Sequence, residues 1–289
     1  MSINKWIKCH THSLEGKKVA VSGATGGIGR ELCAHLASLG ASLVLVDRNQ
    51  RKSAELEETL KKRFPSLSVT RIRADMESLE DVKDAARELV DMEIDYLILN
   101  AGAYHIPRHV CHSGYNNVFQ INYVSPYFLA RALLPHISAR GGRIVAVGSI
   151  AHNYSKTDMA DLDFSGSTKS SLVYGNAKRY LMFSLLSIDS ESIVLTHPGI
   201  TLTGITAHYP KLIFALIKHP MKVIFMSPKK ASLCILAGLF QSSPKRGWIG
   251  PRLFDVWGLP KAKALATCSE DEQRRIAEVA EQIYASLSQ

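Results

Sequence analysis

The strand-like run KVAVS at 18–22 leads directly into Gly23-Ala24-Thr25-Gly26-Gly27-Ile28-Gly29, and helical periodicity begins at once. Glycines let a backbone turn tightly and approach a pyrophosphate with no Cβ in the way. The N-terminus of the helix that follows offers free N–H groups and partial positive charge to an anion. A glycine-rich string alone is equally a plain structural loop. Its position between a first strand and a first helix makes it the phosphate cradle of a βαβ unit, and predicts that the chain binds a dinucleotide.

The same alternation continues outward from this loop. SLVLV at 42–46, YLIL at 96–99, RIVAV at 143–147 and IVLT at 193–196 are largely apolar, β-branched and leucine runs, as expected for strands buried on both faces of a parallel sheet, and Val69–Arg73 is a further strand candidate. Helical stretches separate them. Leu32, His35, Leu36 and Leu39 recur at helical spacing before Gly40, Ser78 with Asp81 forms an N-cap signature, and Ser227-Pro228 has the order that opens a helix. Repeated βαβ units with right-handed crossovers imply an α/β fold, a doubly wound (Rossmann) and mostly parallel sheet flanked by helices on both faces. The chain reads as a polar N-terminal tail at 1–15 followed by a single domain at 16–289.

With 289 residues, 46% hydrophobic and 21% charged, the chain can bury a large core without disulfides or a metal. Cys9, Cys33, Cys111, Cys234 and Cys268 are scattered with no CxxC pair, the usage of a reduced, cytoplasmic protein. No signal-peptide core precedes Gly16, and no run of 18 apolar residues exists to span a membrane. The formal charge of +9 is spread along the chain rather than packed into a basic tract, which favours an anionic small molecule over nucleic acid. His10 and His12 beside Cys9, and His105, His109, Cys111 and His112, lack metal-ligand spacing, so no metal is expected.

Ligands in such sheets bind beyond the carboxyl ends of the strands, so the residues there matter most. Asp47 ends the second strand, eighteen residues after Gly29. A carboxylate there can take both ribose hydroxyls of NAD and repel the 2′-phosphate of NADP, whereas the adjacent Arg48 could pair with that phosphate. NAD is the expected coenzyme, with NADP as the alternative. Asp75 follows the third strand, Asn100-Ala101-Gly102 the fourth, Ser149 the fifth and Pro198-Gly199 the sixth, with Thr203 beyond. Tyr174 and Lys178 stand four residues apart, which on a helix puts them on one face. Taken singly, Ser149 is as readily a strand-end cap, Asn122 a buried amide and Lys178 a solvated charge. Their ordered coincidence with strand ends is the informative feature.

As an ordered set, these motifs resemble the short-chain dehydrogenase/reductase family in its compact single-domain form, from about Gly16 to Gly258. The family's TGxxxGxG corresponds to Ser22–Gly29, with a serine in place of the threonine, and its NAG motif to Asn100–Gly102. The resemblance implies Asn122, Ser149, Tyr174 and Lys178 as the catalytic set. It implies a coenzyme cradle of Ser22, Gly23, Thr25, Gly27, Ile28 and Gly29, then Asp47, Arg48, Asp75 and Met76, then Asn100, Ala101 and Gly102. Tyr174, Lys178, Pro198, Gly199, Ile200 and Thr203 complete it. In these roles Tyr174 is the acid/base, Ser149 fixes the substrate oxygen, Lys178 holds the nicotinamide ribose, and Asn122 anchors a water. Thr203 grips the carboxamide. A free tyrosine titrates near ~10, and moving that by about three units takes about 4 kcal/mol of differential interaction. Lys178 and the positive nicotinamide ring are the expected source.

The polar insert after Ser149 and the string FDVWGLPK at 254–261 resemble the retinol dehydrogenase and protochlorophyllide reductase branch. A lid at about 204–227, rich in Leu, Ile, Phe and Val, suits a hydrophobic alcohol or ketone such as a steroid, retinoid or lipid. Packing as core, and after it contact with a membrane surface through Lys211, Lys218 and Lys222, are the lesser alternatives. The helices bearing Asn122 and Tyr174 carry Phe128, Leu133, Leu181, Phe183 and Leu185. These predict a homodimer by family analogy, with burial inside one subunit as the competing account. A dinucleotide sensor without turnover, or a sugar-nucleotide epimerase, are the alternative functions. The full catalytic set argues against the first and the short C-terminal part against the second.

Overall fold

The computed structural model describes residues 1–188, 190–201 and 225–288. Among the described residues one eight-stranded sheet organises the chain in the order β3-β2-β1-β4-β5-β6-β7-β8. The strands are β1 Lys18–Ser22, β2 Ser42–Asp47, β3 Val69–Arg73, β4 Tyr96–Leu99, β5 Arg143–Val147, β6 Ile193–Thr196, β7 Gly247–Leu253 and β8 Trp257–Ala264. Strands β1 to β7 run parallel, and only β8 pairs antiparallel, as a hairpin with β7. The strand order reverses between β1 and β4, so the crevice opens at the carboxyl ends of these two strands.

Period-two alternation splits each central strand between two helical layers. Ala20, Leu97, Leu99, Ile144 and Ala146 face one layer, whereas Val19, Val21, Ile98, Val145 and Val147 face the other. The first layer holds α4 Leu79–Asp91, a short α5 Asn117–Phe119, α6 Ser125–Ala139, α7 Ser170–Ser187 and α9 Glu270–Leu287. The second holds α1 Ile3–His10, α2 Gly27–Ser38, α3 Gln50–Arg63 and α8 Pro228–Phe240. Ser78 and Ser227 cap α4 and α8 as their sequences predict, accepting from the N–H groups of Asp81 and Lys230.

Two expectations change. The segment read as a polar tail is the helix α1, capped by Ser2. Its Ile3, Trp6 and Ile7 share one face, and Trp6 is buried against the second layer. His10 belongs to this helix, stacked flat on Trp6 at 5.0 Å, and His12 meets the ring of Phe240 edge-on. The apolar residues assigned to a subunit interface are buried within the chain. Helix α9 lies against α6 and α7, with Ile276, Ala280 and Ile283 in the same cluster as Phe128, Leu133, Leu181, Phe183 and Leu185. Arg131 of α6 pairs with Glu281, and Phe128 packs on Tyr284.

Candidate active site

The loop after β1 is held by its own hydroxyl. The Ser22 Oγ accepts the N–H groups of Asn100 and Ala101, both at 3.1 Å, and the Asn100 amide returns bonds to the carbonyls of Ser22 and Gly23. This cross-tie between β1 and β4 fixes the floor of the crevice. Gly23 has φ +65°, and a Cβ there would stand 2.8 Å from the Ala101 Cα. At Gly29 a Cβ would meet the Gly23 carbonyl oxygen at 2.4 Å, so glycine alone lets α2 begin against the loop. The resulting cleft has a volume of about 730 Å³. Gly23, Gly27, Ile28, Gly29, Arg48, Asp75, Met76, Asn100, Ala101 and Gly102 line it together with Ser149, Tyr174, Lys178, Pro198, Gly199 and Ile200. A cleft with a glycine cradle at a helix start fits the pyrophosphate of a dinucleotide.

Three predicted residues act from behind this surface. Ser22 is the cross-tie just described. Thr25 turns inward, giving its N–H and hydroxyl to one oxygen of Asp47 at 3.1 and 2.9 Å, and the Ser53 hydroxyl takes the other oxygen at 3.0 Å. Asp47 borders the cleft but is buried, its carboxylate already satisfied by the protein. Arg48 is 68% exposed at the rim and only loosely paired with Glu77, at 3.7 Å. Asn122 sits in a π-helical turn, Gln120–Val124, between α5 and α6. Its amide clasps Ala103 through both backbone groups, at 3.2 and 2.8 Å, and donates to the Val118 carbonyl. A Cβ on Gly102 would stand 2.9 Å from the Asn122 Oδ1 and 3.7 Å from the Lys178 Nζ. Thr203 and most of the expected lid lie outside the described residues. Phe225 is within them and lines the cleft.

Ser149 leaves β5 and caps a 3₁₀ turn, Ile150–Tyr154, through a bond from the Ala151 N–H. Helix α7 brings Tyr174 against it. Gly175 makes this approach feasible, because a Cβ there would fall 2.4 Å from the Ala151 carbonyl oxygen. One turn on, Lys178 is buried, donates to the Val147 carbonyl at 2.9 Å, and holds its Nζ 5.9 Å from the centre of the Tyr174 ring. Burial pushes the Tyr174 phenol up to about 12, with the Ser149 hydroxyl pulling it down and Tyr104 pushing it further up. Burial likewise lowers Lys178 to about 8. Both shifts have the same cause, since a low-dielectric wall disfavours the phenolate and the ammonium alike.

Behind this pair is a network that sequence reading missed. The Arg179 guanidinium forms a fork to Glu272 of α9, with one arm at 2.7 Å, and donates to the carbonyls of Thr267 and His152. His152 bridges the Ser149 carbonyl at 2.6 Å and the Thr267 hydroxyl at 2.8 Å. Thr157 adds its N–H and hydroxyl to Glu272. Burial alone would raise Glu272, but Arg179 and Thr157 hold it down at about 2. Ser269-Glu270-Asp271-Glu272 is a capping-box pattern, a legible signal for the start of α9. Of the loose His/Cys group, His109 and Cys111 come together with Glu77, their ligand atoms within 4.8 Å of one another and His109 paired to Glu77 at 3.0 Å.

The short chain dehydrogenase model matches residues 17–161. The chain belongs to the short-chain dehydrogenase family, and is an oxidoreductase of alcohol and ketone groups with a nicotinamide dinucleotide coenzyme. It is 25% identical over 277 residues to polyprenol dehydrogenase of Mus musculus, covering 90% of this chain and 82% of that protein. It is 27% identical over 206 residues to retinol dehydrogenase 13 of Mus musculus, covering 68% of this chain and 62% of that one. An uncharacterized protein from Mycobacterium Paratuberculosis has a similar crystal structure, with a TM-score of 0.73 at 21% identity over 96% of both chains. Among the described residues no helix is long and apolar enough to cross a membrane.

Proposed function

We propose that the protein interconverts a lipophilic alcohol and its carbonyl compound, with Tyr174 as the proton donor and acceptor. The observation that carries this is the convergence of the Tyr174 phenol, the Ser149 hydroxyl and the buried Lys178 amine on one wall of a cleft that begins at a glycine cradle. Bound coenzyme would supply hydride to the carbonyl carbon, or accept it from the alcohol. In reduction Tyr174 gives its proton to the substrate oxygen, and in oxidation it takes that proton back. A phenol held near 12 stays protonated at neutral pH, ready to donate. Ser149 hydrogen-bonds the same substrate oxygen and keeps it beside the phenol. Lys178 anchors the sugar next to the reacting ring and stabilises the phenolate as it forms. Asn122, through Ala103 and Gly102, holds the loop against which Lys178 packs.

Tyr104, Ile106, Ile150, Tyr154, Ile200 and Phe225 surround the open end of the cleft. These apolar and aromatic walls support a hydrophobic substrate of the retinoid, steroid or isoprenoid kind, in keeping with the names of the two murine relatives. Tyr174→Phe removes the proton donor alone. It should lower kcat by about 10²- to 10⁴-fold while coenzyme affinity changes little. Stopped-flow hydride transfer to retinal or a polyprenal, beside coenzyme fluorescence titration, separates the two, and normal turnover would refute the role of Tyr174.

For the coenzyme, the inward engagement of Asp47 and the exposure of Arg48 support NADP as well as NAD. Arg48→Ala should raise KM for NADPH roughly tenfold, the size of a lost charge-assisted contact, and leave NADH nearly unchanged. An equal effect on both coenzymes would remove Arg48 from phosphate recognition. Because Asp47 braces Thr25 of the cradle, its replacement by alanine should weaken both coenzymes rather than exchange one for the other. The covering of α6 and α7 by α9 supports a catalytic unit complete in one chain, so a homodimer would have to use another face.

A further inference from the structure

We propose that the turn joining β7 to β8 docks this protein onto an anionic membrane surface, beside the open end of its cleft. Three large apolar side chains stand out there. Phe254 is 92% exposed, Leu253 48% and Trp257 42%. The turn is not a frayed end. Phe254 and Asp255 both have positive φ, at 51° and 56°, a region that a bulky aromatic rarely occupies. The Val256 N–H bonds the Leu253 carbonyl at 3.0 Å, so the two positive φ values are those of a tight hairpin turn, and this turn sets the Phe254 ring at its outermost point.

The inner side of the turn is fastened. The His197 ring bonds the Asp255 carbonyl at 2.9 Å, the Ile200 N–H reaches the Val256 carbonyl at 3.4 Å, and the Asp255 carboxylate pairs with Lys263 at 2.8 Å. Gly199, with φ +80°, has space for no Cβ because the Val256 carbonyl would be 2.7 Å away. Gly199 and Ile200 line the cleft, so the turn is the outer side of a cleft wall.

The charge around the tip selects the occupant. The Lys230 ammonium sits over the Trp257 ring, 3.4 Å from its centre, and exposed cations flank these residues along the chain, Lys229 next to Lys230, Arg252 next to Leu253, and Lys261 four residues after Trp257. The one acidic group of the turn, Asp255, is neutralised by Lys263. Aromatic and leucine side chains at a projecting point, with Lys230 on the Trp257 ring and Arg252 next to Leu253, match the boundary between anionic headgroups and acyl chains. Three side chains at a tip fall far short of the ~1,000 Å² that a stable protein partner or second copy needs. The lid expected to touch a membrane from sequence lies mostly outside the described residues, and this contact rests on a different element. It also stands independently of which substrate the cleft takes.

The test uses the full chain with vesicles of phosphatidylcholine alone and of phosphatidylcholine with 30% phosphatidylserine by composition (roughly the anionic fraction of a charged leaflet). Trp6 and Trp248 are buried at 2% and 3%, so a vesicle-induced blue shift reports Trp257. The native protein should sediment with the anionic vesicles and show that shift. Phe254→Gly suits the positive φ and so keeps the fold, yet should weaken vesicle binding about tenfold. Arg252→Glu with Lys229→Glu should abolish the preference for anionic vesicles. Both variants should reduce a water-soluble ketone at the native rate. Failure of the native protein to bind either vesicle, or equal binding by Phe254→Gly, overturns the proposal. So does a native dimer that Phe254→Gly converts to monomer without vesicle binding, which would assign the tip to protein contact. Loss of turnover on every carbonyl with vesicle binding intact would instead fall on the enzymatic reading.

Discussion

Gly175 shows how much of the chemistry depends on an absent side chain. It stands next to Tyr174, and its hydrogen faces the Ala151 carbonyl where a Cβ would be 2.4 Å away. Backbone lies on both sides of that contact, so neither partner can yield cheaply. Gly175→Ala is expected to push α7 away from the 3₁₀ turn and to separate Tyr174 from Ser149 by a fraction of an ångström to about 1 Å, which costs about 10²-fold in rate. Single-turnover rates with the fold checked by circular dichroism measure this, and an unchanged rate would mean that the turn moves with the helix. Gly175 was not legible as functional, since a glycine at that helix position has no sequence signature of what it faces. Helical geometry puts Tyr174 and Lys178 on one face, and the family resemblance marked them out among the chain's tyrosines and lysines. Their titration was not legible. It follows from how deeply the fold buries them, which drives the phenol up and the ammonium down.

Among elements, α9 governs how the catalytic helix is held. Its first turn delivers Glu272 to Arg179, the neighbour of Lys178, and to Thr157 of the insert that follows Ser149. The Glu272 carboxyl is held at about 2, below its ordinary 4.5. A depressed carboxylate contributes stability that is fully present above 4.5 and is lost as pH falls toward 2. Native protein should therefore lose stability across that window in denaturant titrations. Glu272→Gln should flatten this loss and destabilise the protein at neutral pH, because Arg179 would remain buried without its counter-charge. Equal acid sensitivity in the variant would move the effect to other carboxylates. Five of the strands follow from apolar runs, and β3 (VTRIR), at the other edge of the sheet, from its place in the alternation. Strands β7 (GWIGPRL) and β8 (WGLPKAKA) do not, because glycines, prolines and lysines break the pattern. Proline and lysine are tolerated there because β8 is the antiparallel edge of the sheet.

For the molecule as a whole, the question is which surfaces are spent on the fold. The faces of α6 and α7 that promised an interface are occupied by α9, with Ile276, Ala280 and Ile283 filling the space that a partner would otherwise take. Removal of residues 269–289 should expose this apolar cluster and leave Arg179 and Arg131 unpaired. Size-exclusion chromatography with light scattering should then show self-association, whereas the full chain should not associate through this face. A truncated chain that stays monodisperse and fully active would mean that α9 is dispensable for both.

The chain order of the first six strands and their helices and the glycine cradle after β1 could be read without coordinates, because they depend on periodicity and local backbone geometry, which are properties of neighbouring residues. Tyr174, Lys178, Ser149 and Asn122 were picked out through the family resemblance, as an ordered set of motifs at strand ends. Tertiary structure alone decided that Asp47 turns inward to Thr25 and Ser53, that α9 covers α6 and α7, that Arg179 and Glu272 meet, and that Phe254 projects from the turn between β7 and β8. Each of these joins residues distant in the chain, or depends on what remains uncovered once everything else has packed. Burial and contact are set by the closed fold, and no single segment encodes them.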